Sequence, residues 1–305
     1  MSDSPDKLKR YKSTQICGML LHSPSQTGYA KLESEFYSIN TQYIKIKRNK
    51  KKLTHSFLII GQSNMAGRGF LSDAEPLDTN KGRLKVLRNG MWLKMYRPVN
   101  PDRSYSGTCL AETFAKAYSD DHPCVDVGII PCADGGTSLN QWREGGLLFD
   151  NAINCAKLAM RTSHLVGILW HQGESDCDDE LHPLYLEKIT AIMSAMRREL
   201  NAENIPLVVG GLGDFLKNRT ESPQLANYTY VNSALMKFAE LTSSTAFASA
   251  EGLTSNPDNL HFDHRSLKEF GLRYYAAFKT IEDKNRIFDE KSKMNDTIRS
   301  QMELL

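Results

Sequence analysis

From residue 53 onward the apolar and polar positions fall into two alternating patterns. Short apolar runs near 57–60, 83–88, 125–131, 165–171, 206–211 and 245–249 read as buried strands. Between them, stretches near 109–119, 149–162, 182–200, 225–241 and 265–280 read as helices. In the last of these, Leu267, Phe270, Tyr274 and Phe278 recur every three or four positions, so one face should pack on the sheet. Strands alternating with helices predict a mainly parallel α/β sheet, in which ligands bind beyond the carboxyl ends of the strands.

The loops at those strand ends carry the chemistry. Gly61-Gln-Ser-Asn-Met-Ala-Gly67 follows the run Phe57–Ile60 and sets a hydroxyl, Ser63, on the turn leaving a strand. A serine attacks at neutral pH only if a base takes its proton and donors stabilise the resulting oxyanion. His261, in Asn256-Pro-Asp-Asn-Leu-His261, is the candidate base, and Asp258 three positions earlier can reach its near ring nitrogen within one turn. Taken alone, an Asp-x-x-His pair is more often a capped surface turn, and a serine after a strand is more often a helix N-cap.

Two further loops change that balance. Pro131-Cys-Ala-Asp-Gly-Gly-Thr-Ser138 is a small-residue segment able to present backbone N–H groups, and Trp170-His-Gln-Gly-Glu-Ser-Asp176 places an amide, Gln172, just past a third strand. The first loop is neither the Gly-x-Ser-x-Gly elbow, since position 65 is Met, nor a phosphate loop, since no Gly-Lys-Ser/Thr follows.

In that order, the four blocks resemble the SGNH-hydrolase superfamily, most closely its carbohydrate esterase family 6 and sialate O-acetylesterase-like group. The resemblance implies a three-layer α/β/α sandwich with a flavodoxin-like sheet and removal of acetyl groups from sugar hydroxyls. It also implies a Ser63, Asp258, His261 triad. The oxyanion hole would come from the Ser63 N–H, a glycine N–H of Gly135-Gly136 and the Gln172 side chain. Many SGNH enzymes carry Gly-Asp-Ser in the first block and Asn in the third, whereas here they are Gly-Gln-Ser and Gln172, as in the named subgroup. Acetylated xylan-type oligosaccharides and acetylated sialic acid both fit as substrates, and no cofactor is implied.

Neighbouring residues take supporting parts in this reading. Glu174 is expected to hydrogen-bond within its loop and hold Gln172 or the triad histidine, and Gln62 and Asn64 to contact the site or the substrate. Trp142, trailing the glycine loop, is the best aromatic candidate for touching a sugar, with Trp92 and Tyr105 as further rim candidates and Trp170 as packing. Asp134, Asp263 and His264 default to turns and caps. A metal is not expected: His171-x-x-Glu174-x-Asp176 lacks a second histidine one helical turn away, and no Cys-x-x-Cys occurs.

A chain of 305 residues with 40% hydrophobic content supports one substantial core. We assign the esterase domain to 53–281, a basic extension to 1–52 and a charged helix or tail to 282–305, where Ile287, Met294, Ile298 and Met302 keep helical spacing. Residues 1–52 hold 11 Lys and Arg against 4 acidic residues, a balance of +7 that leaves −5 for the remainder of a chain totalling +2. Because aromatic residues do not interleave with Lys45-Ile-Lys-Arg48 and Lys50–Lys52, a solvated edge strand or a partly disordered arm is preferred over a nucleic-acid contact. No run approaches the ~20 apolar residues of a membrane span. The short run Ile16–Leu21 has no signal-peptide cleavage site, so a cytoplasmic location is the default expectation. Cys17, Cys109, Cys124, Cys132, Cys155 and Cys177 show no disulfide framework and should be free thiols. A carbohydrate-binding protein that keeps the fold without hydrolysis is the alternative of another class.

Overall fold

The computed structural model describes residues 52–302, so the basic extension lies outside the described residues except for Lys52. In chain order, β1 (Thr54–Gly61) runs into the single turn α1 (Ser63–Ala66), and β2 (Leu84–Arg88) and β3 (Met91–Lys94) form a hairpin. Helix α2 (Leu110–Asp121) precedes β4 (Asp126–Pro131), and α3 (Leu139–Trp142) and α4 (Leu147–Met160) precede β5 (His164–His171). Helix α5 (Tyr185–Leu200) leads to β6 (Leu207–Gly210), α6 (Tyr228–Leu241) to β7 (Thr245–Ala248), and α7 (His264–Met302) closes the described chain.

The seven strands lie in the order β3-β2-β4-β1-β5-β6-β7, parallel except for β3. The five strands β4-β1-β5-β6-β7 are the flavodoxin-like order, and the β2–β3 hairpin extends the sheet beside β4. Helices α2 and α7 pack together on one face, while α4, α5 and α6 cover the other. The sheet is therefore buried on both sides, which explains why its strands read as continuous apolar runs. On strand β1, the Phe57 ring meets Phe114, Tyr118 and Phe278 edge-on at 4.8, 4.8 and 5.4 Å, so one side chain ties the central strand to both helices of its face.

Leu267, Phe270, Tyr274 and Phe278 are all buried, as their spacing predicts. Helix α7 does not stop near 280 but continues unbroken to Met302. Strand β3 has no counterpart in the sequence expectation, because its Met91-Trp-Leu-Lys94 is largely exposed at the sheet edge. Cys109, Cys124, Cys132, Cys155 and Cys177 are free thiols. Among the described residues no helix is long and apolar enough to cross a membrane.

Candidate active site

Three neighbouring strands, β4, β1 and β5, deliver their carboxyl ends to one side of the sheet, at the point where the chain reverses its direction of sheet building. Strand β1 ends at Gly61 with φ +126°, and a side chain there would collide with the His171 carbonyl. Gln62 then donates its N–H to that carbonyl at 2.9 Å, and Ser63 opens α1. At the first position of a helix the Ser63 N–H has no intrahelical partner and stays available.

Residues 198 positions apart meet here: His261 Nε2 lies 3.1 Å from Ser63 Oγ. On the other ring edge, His261 Nδ1 is 2.6 Å from Asp258 Oδ2. The second carboxylate oxygen, Oδ1, accepts the N–H groups of Leu260 and His261, both at 3.0 Å. Burial alone would raise the Asp258 carboxyl, but the imidazole and these two N–H groups outweigh it and bring its pKa down to about 2. An ionised Asp258 fixes the ring so that Nε2 faces the hydroxyl.

Asn64 clamps the histidine loop. Its Nδ2 donates to the Leu260 carbonyl and to Glu174 Oε1, and its Oδ1 accepts the Phe262 N–H at 3.0 Å, so one amide grips both sides of His261. Glu174, buried, also lies 3.5 Å from His171 Nε2. Burial would raise its carboxyl, and the contacts with His171 and Asn64 reverse that and lower it. Its reach to His261 thus runs through Asn64, while Gln62 Oε1 accepts the Gly173 and Ser175 N–H groups.

The glycine loop is positioned by residues that the sequence motifs do not include. Asp102, its carboxylate buried, takes a bidentate pair of hydrogen bonds from Arg68 at 2.9 and 2.7 Å and accepts the Gly135 N–H at 2.9 Å. Burial pushes the Asp102 carboxyl up, but the Arg68 guanidinium and the Ser106 hydroxyl outweigh it and hold it below its ordinary value. Asn100 pairs with both backbone groups of Ala133 at 2.9 Å. Because the Gly135 N–H is spent on Asp102, Gly136 is the glycine of the pair whose N–H remains uncommitted at the pocket. The turn cluster Asn100-Pro-Asp102 is visible in the sequence, but nothing there links it to residues 133–135.

Two expectations need correction. Gln172 does not present its amide to the pocket: it is fully buried, and Nε2 donates to the Thr137 carbonyl at 3.0 Å and to the Asp176 carboxylate. Its Oε1 accepts the Tyr185 hydroxyl at 3.1 Å, so the side chain is a structural tie between three segments. Burial raises the Asp176 carboxyl, and the Gln172 contact acts against it. Trp142 likewise is not at the rim: short helix α3 turns it inward, edge-on to Trp170 at 5.5 Å, with its indole N–H on Thr137 Oγ1. Trp92 packs over Gly128 in the sheet, leaving Tyr105 as the aromatic at the pocket mouth. Asp263 caps α7 through the Ser266 N–H, and His264 is buried against Thr108 and Glu75.

The pocket over Ser63 and His261 holds about 350 Å³, and Arg68, Arg103, Arg219 and Ser222 are among its lining residues. Arg68 and Arg103 are paired with Asp102 and Asp134, whereas Arg219 donates to the Asp258 carbonyl. Among the described residues, no cluster of three or more His, Cys, Asp or Glu side chains could hold a metal ion.

The chain is similar to known proteins over most of its described length. A family model described as carbohydrate esterase, sialic acid-specific acetylesterase, matches residues 53–280. The probable carbohydrate esterase At4g34215 of Arabidopsis thaliana is 24% identical over 252 residues, covering 73% of this chain and 89% of that protein. Its crystal structure superposes with a TM-score of 0.67 at 22% identity, covering 74% of this chain and 98% of that one. XAC1771, a carbohydrate acetylesterase from Xanthomonas citri, gives 0.57 at 21% identity over 74% of this chain and 56% of that one. The structure of NanS gives 0.59 at 15% identity over 76% and 98%.

Proposed function

Because the chain belongs to the sialic acid-specific acetylesterase family of carbohydrate esterases, and is thereby a carboxylic ester hydrolase, we propose that it removes O-acetyl groups from sugars by a Ser63, His261, Asp258 acyl-enzyme route. The observation that carries this reading is the unbroken relay from Asp258 through His261 to the Ser63 hydroxyl at 2.6 and 3.1 Å. In the first half-reaction Ser63 Oγ attacks the acetyl carbonyl while His261 Nε2 takes its proton. The Ser63 and Gly136 N–H groups hold the oxyanion. Collapse breaks the ester bond, and His261 returns the proton to the departing sugar oxygen. Water, deprotonated by the same nitrogen, then attacks acetyl-Ser63 and releases acetate.

Arg219, the pocket arginine whose guanidinium meets a backbone carbonyl rather than a carboxylate, favours a sugar bearing a carboxylate, such as an O-acetylated sialic acid, over a neutral xylan-type oligosaccharide. Rates of acetate release from O-acetyl sialic acid and from acetylated xylo-oligosaccharides test this. The reading expects a higher kcat/KM for the acidic sugar, with Ser63→Ala inactive on both. Hydrolysis confined to neutral sugars would reverse the substrate assignment, and release of no acetate from either would remove the carbohydrate reading altogether.

A further inference from the structure

The triad opens on two clefts, not one. Beside the pocket over Ser63, a second cleft of about 450 Å³ shares Arg68, Tyr105 and His261 with it but contains none of Ser63, Gly135 and Gly136. Both volumes fall within the range of about 300–1,000 Å³ found for small-molecule sites. The second cleft lies between two short segments, 68–72 and 104–107, held together by a bridge between Gly69 and Thr108. Asn256 and His261 also line it, and the Asn256 amide donates to the Arg68 carbonyl.

Its walls expose large apolar side chains. Phe70 is 49%, Leu71 48% and Tyr105 69% exposed, on a surface where isolated apolar residues would need no explanation but three around one cleft do. Tyr105 is preset for contact: its loop is pinned by the Ser106 hydroxyl on Asp102 at 2.7 Å and by the Gly107 N–H on the Gly67 carbonyl at 3.0 Å. The Arg68 guanidinium sits 5.2 Å from the centre of its ring. An aromatic held in place this way binds without a large ordering cost.

The position of the cleft relative to the chemistry identifies the occupant. The backbone donors for the acyl oxygen lie in the first pocket, so an acyl chain has no reason to enter the second. His261, which hands its proton to the leaving oxygen, borders both, and the second cleft therefore lies on the leaving-group side. We propose that this cleft is a second sugar subsite, in which the residue linked to the acetylated sugar of an oligosaccharide stacks against Tyr105 and Phe70. Sugar rings present apolar C–H faces that such side chains cover, and the exposed Ser104 at the cleft supplies a hydroxyl for the ring's polar edge. The proposal rests on the carbohydrate acetylesterase reading and adds that the enzyme distinguishes an oligosaccharide from a free sugar.

The test uses one acetylated sugar presented free and as the terminal residue of a trisaccharide, with p-nitrophenyl acetate hydrolysed in parallel. Wild type should show a higher kcat/KM for the trisaccharide than for the free sugar. Tyr105→Ala and Phe70→Ala should each reduce that preference, Tyr105→Ala by about tenfold, the loss typical of truncating an aromatic anchor. Tyr105→Phe, which keeps the ring, should restore it. Turnover of p-nitrophenyl acetate shows that each variant is folded with its triad intact, and a preference expressed as a ratio is not moved by a general loss of active enzyme. Equal kcat/KM for free and linked sugar in wild type, or an unchanged ratio in both alanine variants, would overturn the subsite while leaving the esterase reading standing. Wild type that cleaves p-nitrophenyl acetate but neither sugar would instead sink the carbohydrate reading itself. A preference for longer acyl chains that disappears in Phe70→Ala would assign the cleft to the acyl group and overturn the proposal.

Discussion

Replacing Gln172 by alanine separates a structural amide from a catalytic one, and the two roles predict opposite patterns. In the structure this side chain donates to the Thr137 carbonyl and the Asp176 carboxylate and accepts from Tyr185. Truncation leaves Tyr185 its 2.7 Å bond to the Gln172 carbonyl and Asp176 its 3.0 Å bond from the Leu139 N–H, so neither is stripped bare. The Thr137 carbonyl loses its side-chain partner, while Asp176 Oδ2 loses one of two. At about 1–3 kcal/mol for the buried carbonyl left unsatisfied, plus about 2 kcal/mol for the cavity, the cost comes to roughly 4 kcal/mol. For a domain of this size that corresponds to a fall in Tm of about 8–16 °C. If the amide instead stabilised the oxyanion, kcat would fall by about 10²–10³-fold with little change in stability. Thermal unfolding followed by circular dichroism, together with kcat on p-nitrophenyl acetate well below the lowered Tm, decides between them. The structure predicts a large drop in Tm and a kcat within about tenfold of wild type. A kcat loss of about 10²-fold or more at an unchanged Tm would refute the assignment.

Three further outcomes follow from the same geometry. Gly135→Ala would place a methyl group 2.5 Å from Arg68 Nη2 and 2.9 Å from Asp102 Oδ2, so the glycine loop or the buried ion pair must move; we expect kcat to fall by about 10²-fold and Tm to drop, read by steady-state kinetics and a thermal scan. Asp258→Asn keeps an oxygen for the Leu260 and His261 N–H groups but loses the charge that orients the imidazole; kcat should fall by about 10²–10⁴-fold with the turn still folded, and equal kcat in the variant would contradict the relay. The Asp258 carboxyl is depressed from 3.8 to about 2 in the folded chain, so its contribution to stability is fully present above pH 3.8 and is lost as pH falls through 2. Urea midpoints of wild type and Asp258→Asn should therefore converge as the pH drops from about 4 towards 2, and a constant gap across that range would show that the carboxylate is not the cause.

Much of this arrangement is legible in the sequence because each chemical group sits at the end of an element with its own signature. The continuous apolar strands announce a sheet covered on both faces, and the spacing of Leu267, Phe270, Tyr274 and Phe278 announces the helix that packs behind the His261 loop. Ser63, His261 and Asp258 can be grouped because strand ends in a parallel sheet share one side. The identity of Gln172 is legible but its direction is not, since that is set by Thr137, 35 positions away, and by the competing pull of Asp176 and Tyr185. Trp142 departs from expectation for the same reason: a tryptophan beside a loop can point to either side, and here the partners that decide it are the buried Thr137 hydroxyl and the Trp170 ring. Strand β3 does carry a signal, the dipeptide Asn89-Gly90, whose positive φ values of 48° and 76° form the hairpin turn that such a pair favours. The Arg68–Asp102 pair that fixes the glycine loop has none, because a salt bridge across 34 positions leaves no periodicity to read.

The central claim is that Ser63 carries the acetyl group between the two half-reactions. Rapid acid quench during turnover of an acetyl ester, followed by peptide mass analysis, should find one acetyl group on the peptide containing Ser63, and none on that peptide in Ser63→Ala. An acetylated residue elsewhere, or wild-type turnover by Ser63→Ala, would contradict the account.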